Sequence, residues 1–176
     1  AQSIEIGPNP LLTASGQWIA LAAGTAGLAS TGLLIGIRRL KSPSTPASEI
    51  FLTISGVGML ALGGWVLAGS DRVDTLLYSR YIGPWAVPLT VLGLIAVARG
   101  DFTAKFKWVA LLSTLIPAAL CLAASNAVNE PARRIMTLGL TSLWSVLGNS
   151  LASTLIAAAS VCVMAYLAMT RGILIP

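Results

Sequence analysis

Residues 50–69 read Ile50-Phe51-Leu52-Thr53-Ile54-Ser55-Gly56-Val57-Gly58-Met59-Leu60-Ala61-Leu62-Gly63-Gly64-Trp65-Val66-Leu67-Ala68-Gly69. No charge interrupts this run. As an α-helix it would be about 30 Å long, the thickness of a bilayer's hydrocarbon core, which takes about 20 apolar residues to cross. Working outward, three more stretches meet the same test: Trp18–Ile37, Ile82–Ala98 and Trp108–Ala124. The segment Ile135–Thr170 is apolar except for a polar notch at Asn149 and Ser150. It is long for one crossing and short for two plus a turn. The preferred reading is one span over Leu151–Thr170, preceded by a re-entrant or interfacial helix over Ile135–Gly148; the alternative is two short antiparallel spans. The expected fold class is therefore all-α: a polytopic transmembrane helical bundle of about five spans plus one short re-entrant or interfacial helix. It forms a single domain over residues 1–176.

The composition agrees with that reading. Hydrophobic residues make up 56% of the 176 residues and charged residues 10%; mean hydropathy is +0.84. A soluble domain carries about 25% charged residues, so the sequence argues against a cytosolic globule. There is no histidine, which removes imidazole-ligated haem or zinc and His-based acid–base chemistry. No P-loop, dinucleotide-binding glycine fingerprint or metal-ligand cluster is present, and no cofactor is expected. Cys121 and Cys162 lie in apolar runs without CxxC spacing and read as small apolar fillers. The net charge is +5, but the cations are scattered, whereas a nucleic-acid surface needs a concentrated patch. The first sixteen residues, Ala1 to Gly16, are polar or proline-rich and lack the cationic start of a signal peptide.

Charge placement sets an orientation. Cytoplasmic loops collect Lys and Arg. Arg38, Arg39 and Lys41 follow the first span, opposed by Glu49. Arg99, Lys105 and Lys107 follow the third, opposed by Asp101. These two loops are expected inside, with the N-terminus and the loops at 70–81 and 125–134 outside. Five spans also place Arg171 inside, and six would move it outside and weaken the bias. Trp18, Trp85 and Trp108 fall at expected span ends, where indole favours the headgroup level. Gly32-x-x-x-Gly36 and Gly64-x-x-x-Ala68 permit close helix approach, within the chain in preference to a dimer face. Pro88 and Pro117 each free a backbone carbonyl inside a span. No acidic residue falls inside a span, which disfavours a proton or ion carrier. Thr31, Ser55, Thr114 and Thr154 are expected to bond their own helix backbones.

Two stretches on the expected outer face carry candidate ligand-binding groups. The first is Asp71-Arg72-Val73-Asp74-Thr75-Leu76-Leu77-Tyr78-Ser79-Arg80-Tyr81. Arginine's planar fork suits phosphate oxygens, and tyrosine suits the headgroup layer. Asp74, Tyr78, Arg80 and Tyr81 are the candidates there. The second is Asn126-Ala127-Val128-Asn129-Glu130-Pro131, followed by Arg133 and Arg134, which would assist at a phosphate. The simpler reading of both is an interfacial anchor with internal Asp–Arg pairs and a polar turn.

The run Asp74-x-x-x-Tyr78-Ser79-Arg80-Tyr81, followed by a proline-bearing span ending in Ala98-Arg99-Gly100, resembles polytopic actinobacterial membrane proteins similar to the GT-C superfamily of lipid-phosphate-sugar glycosyltransferases. Ser79 stands where that pattern has glycine. The resemblance covers Trp18 to Thr170 and corresponds to the C-terminal transmembrane portion of such enzymes. It implies contact with membrane lipids, including a polyprenyl-phosphate-linked sugar, on the outer face. The family's catalytic acid sits near the N-terminus of a much longer chain. Here only Glu5 precedes the first span, so no catalytic residue is assigned, and the chain is expected to be a fragment or a short relative that has kept the scaffold. The competing reading is a non-catalytic helical subunit that packs against other membrane protein chains.

Overall fold

The computed structural model describes residues 9–68, 81–101 and 103–123, together with Ala159, Val163 and Tyr166. Among these residues the regular elements are all helical: α1 (Pro10–Gly24), α2 (Leu28–Arg39), α3 (Ala47–Ala68), α4 (Gly83–Ala98) and α5 (Ala104–Ala123). The helix starts and stops follow local chemistry. Asn9 caps α1: its side-chain oxygen accepts from Leu12 N–H at 2.8 Å, and Pro10 fills a first-turn position that needs no donor. Thr103 Oγ1 accepts from Phe106 N–H at 3.3 Å at the head of α5. α4 ends on Gly100 at φ 67°. There Asp101 N–H reaches back to Ala96 O at 3.1 Å and Gly100 N–H to Val97 O at 3.0 Å. This is the left-handed glycine stop, and it fixes where Asp101 emerges.

The first expected span is corrected. Trp18–Ile37 is not one helix. The chain enters helix eight residues earlier, at Pro10, and breaks at Thr25–Gly27, so that α1 and α2 meet at 116°. Ala26 at φ 48° and Gly27 at φ 81° both adopt left-handed backbone, and two successive residues of that kind turn the chain sharply. Gly27 N–H bonds Ala22 O at 2.7 Å. Thr25 serves both helices: its hydroxyl donates to Leu21 O at 2.8 Å and accepts from Ala29 N–H at 3.1 Å. One side chain thus satisfies the tail of α1 and the head of α2. Trp18 is corrected with it. The indole lies within α1, half-buried, with its Nε1 buried and without a hydrogen-bond partner, and it is not an anchor at a helix end.

The other boundaries agree more closely. Ile50–Gly69 is covered by α3, Ile82–Ala98 by α4 and Trp108–Ala124 by α5, each within a few residues. Of Leu151–Thr170, the described residues Ala159, Val163 and Tyr166 are helical. Ile135–Gly148 lies outside the described residues. Among the described residues, one helix, α3, is long and apolar enough to cross a membrane by itself; the bent pair α1–α2 passes the same test only when taken together, and α4 is a shorter apolar helix.

α2 packs chiefly on α4, and α1 packs on α3 and α5. The contacts are close because small residues line them. A Cβ at Gly32 would run into Leu89 O, and one at Gly93 would run into Leu28 O, so α2 and α4 touch backbone to backbone. Gly36 takes the Thr53 hydroxyl of α3, and Gly64 takes Pro10 O and Ala14 of α1. The small-residue motifs therefore act within the chain. Leu21, Ala29, Leu33, Ile82 and Leu89 form one apolar cluster. A second joins Ala22, Ile35, Ala96, Phe106 and Ala110 to Tyr166. The Tyr166 hydroxyl meets Ser30 Oγ at 2.9 Å and its ring lies against Gly27, so this side chain covers the α1–α2 break.

Candidate functional site

Of the expected ligand-binding residues, Asp74, Tyr78, Arg80, Arg133 and Arg134 lie outside the described residues. Tyr81 is described; it stands two residues ahead of α4 and is 38% exposed.

The structure instead assembles polar groups where α2 and α4 end and α3 and α5 begin. Arg39, the last residue of α2, bridges two carboxylates. Its Nη1 donates to Glu49 Oε1 at 3.2 Å and Oε2 at 3.3 Å, and its Nη2 pairs with Asp101 Oδ2. Arg38 Nη1 donates to Asp101 O at 3.3 Å. Each charge also suits its helix: Glu49 lies in the first turn of α3, and Arg38 and Arg39 in the last turn of α2, the polarity the helix dipole favours. Glu49 is 7% exposed, so its pairing with Arg39 offsets a real desolvation cost. The loops at 38–49 and 99–107 are thereby held at one end of the bundle. Sequence reasoning treated these residues only as orientation anchors. The lone acid in each basic loop was the signal that the two loops meet.

Beside this cluster lies an open cavity of ≈ 500 Å³. Arg39, Arg99 and Glu49 supply its charge; Ser42, Ser44, Thr45 and Ser48 supply hydroxyls; Leu52, Leu92 and Ile95 supply its apolar lining. The Thr45 hydroxyl donates to Arg39 O, and Ser42 and Ser44 share a hydrogen bond at 2.8 Å. Groups of three or more potential metal ligands are absent among the described residues.

A second polar feature lies deeper. Gln17, Thr31, Thr53 and Thr114 are fully buried. Thr53 and Thr114 donate to the carbonyls of Glu49 and Ala110 on their own helices, as expected for hydroxyls in apolar helices. Thr31 departs from that expectation: its Oγ1 has no partner, and neither amide atom of Gln17 has one. Gln17 faces Gly63 of α3, the position that gives the amide room. Cys121 is buried and unpaired. No family model, no curated protein and no solved structure matches the chain.

Proposed function

We propose that the chain is an integral membrane protein acting as a non-catalytic helical subunit, a scaffold that packs against lipid and against other membrane chains. The observation that carries this reading is the distribution of side chains between inside and outside. Large apolar groups point outward from three helices: Phe51, Leu62 and Trp65 on α3, Val87 on α4, and Trp108 and Ile116 on α5, each more than half exposed. Among the described residues, the interior adds buried alanine, glycine, threonine, serine and glutamine to its leucine and isoleucine clusters. Water would penalise such an exterior at about 25 cal/mol per Å² of apolar surface. Hydrocarbon carries no such penalty, and interiors of small and hydroxyl residues suit membrane bundles.

On this reading α3, α4, α5 and the segment around Tyr166 are crossings, and the bent α1–α2 pair takes the place of the remaining span. The Arg39–Glu49–Asp101 end then faces the cytoplasm under the charge rule. The outer-loop contact with lipid phosphate through Asp74, Tyr78, Arg80, Tyr81, Arg133 and Arg134 remains a proposal resting on the sequence resemblance.

Alkaline carbonate extraction of membranes expressing the full chain tests the membrane assignment. The chain should stay in the pellet, and release into the supernatant would overturn it. Native mass spectrometry from mild detergent then tests the subunit role. A stoichiometric protein partner supports it. A lone chain carrying a polyprenyl-phosphate species would replace it with the glycosyltransferase-like reading.

A further inference from the structure

We infer that the cavity between the α2–α3 loop and the end of α4 binds a phosphate group, borne either by a lipid headgroup or by a free phosphate ester. Its ≈ 500 Å³ lies in the range of about 300–1,000 Å³ typical of small-molecule pockets. The balance of charge selects an anion. Both nearby carboxylates are engaged by Arg39, whereas the guanidinium of Arg99, on the cavity wall, has no hydrogen bond or ion pair among the described residues. Its guanidinium is a planar fork matched to phosphate oxygens. The hydroxyl side of the wall adds donors from another direction. The Ser48 hydroxyl has no hydrogen bond among the described residues, and of the two hydroxyls of the Ser42–Ser44 pair only one proton is used. A phosphate, with several acceptor oxygens, uses donors spread in this way better than a carboxylate does. Leu52, Leu92 and Ile95 give the cavity an apolar side against which a glycerol or acyl portion packs.

The lipid form of the ligand rests on the membrane assignment; the phosphate chemistry does not. Two binding measurements on the full chain separate them. In the first, the detergent-purified protein is titrated with glycerol phosphate. In the second, the protein in phosphatidylcholine nanodiscs doped with phosphatidylglycerol is analysed by native mass spectrometry for retained lipid. Arg99→Gln should weaken binding of whichever probe binds by about tenfold, the scale of one charge-assisted hydrogen-bonded contact. Ser48→Ala should weaken it less. Lys105→Gln, an exposed cation in the first turn of α5 outside the cavity wall, should leave it unchanged. Phosphatidylglycerol retention alone identifies the lipid as the source, and glycerol phosphate binding alone identifies the free ester. The inference is overturned if neither probe binds, if Arg99→Gln binds like the unaltered chain, or if Lys105→Gln loses as much as Arg99→Gln. Arg99 is exposed and its guanidinium is unpaired among the described residues, so its substitution leaves the fold intact; an unchanged melting temperature in the same detergent checks that.

Discussion

Gly32 and Gly58 are both helical glycines, yet the structure gives them opposite roles. At Gly32 an added methyl meets the Leu89 carbonyl of α4; at Gly58 it meets nothing within 4 Å. Gly32→Ala should therefore cost about 1–3 kcal/mol, because the overpacked contact is with backbone that cannot rotate away. Gly58→Ala should be neutral or gain up to about 1 kcal/mol from helix propensity. Melting temperatures of the two variants in one detergent check the contrast. Equal destabilisation would mean that α2 and α4 are not in backbone contact. Glu49→Gln tests the charged end in the same way. Arg39 keeps Asp101 as a partner and stays a quarter exposed, so the expected loss is about 1 kcal/mol, between a surface pair and a buried one. At this scale the sequence was partly legible. The spacing Gly32-x-x-x-Gly36 announced close packing but not its partners, since Gly32 turns to α4 and Gly36 to α3. The pairing of Arg39 with Asp101 spans 62 positions, a distance at which local pattern carries no information.

The helices α3, α4 and α5 were legible because each is bounded by charge, glycine or proline. The α1–α2 break was not. Thr25-Ala26-Gly27 contains no charge and no proline, so apolar continuity reads straight across it. What breaks the helix is backbone handedness at Ala26 and Gly27, supported by packing that the sequence does not display. Thr25 should then matter out of proportion to its size. Thr25→Val keeps the shape and loses both hydroxyl bonds, for an expected cost of about 1 kcal/mol, the worth of a helix cap; Thr25→Ser should restore it. Gly27→Ala adds a side chain at φ 81° and 3.3 Å from the Tyr166 ring, for at least about 1–2 kcal/mol. Thermal denaturation reads both. The break also bears on insertion. Gln17–Lys41 alone, rich in Ala and Gly and bent in the middle, should score poorly in a translocon insertion reporter, whereas Ala47–Ala68 alone should insert fully. Efficient insertion of Gln17–Lys41 would show that the two helices straighten into one.

At the scale of the whole molecule, the described residues bury glutamine, serine and threonine beside the leucine and isoleucine core and leave other large leucine, valine and tryptophan side chains on the exterior. The test is a charge placed on that exterior. Leu62→Lys and Val87→Lys, both at strongly exposed apolar positions, should each cost about 2.5–3.5 kcal/mol if they face mid-bilayer, read as lost membrane-integrated protein. Ser44→Lys, in the α2–α3 loop, should be tolerated. Equal tolerance at all three positions would mean that the apolar exterior meets water. Hydrophobic composition made the helical class readable from the start. The polar cavity was not readable, because its walls come from the α2–α3 loop, the first turn of α3 and the end of α4, which only the folded chain brings together. The hydrogen bond between Ser30 and Tyr166 has a consequence for biogenesis. Its partners are 136 positions apart, and at about 5–20 residues per second a ribosome takes roughly 7–27 s to make the intervening chain. For that whole interval the α1–α2 break waits for Tyr166 to close it. A nascent chain stalled short of Tyr166 would present an open helix break to the quality-control proteases, and the lifetime of such truncations reports how much the late closure protects.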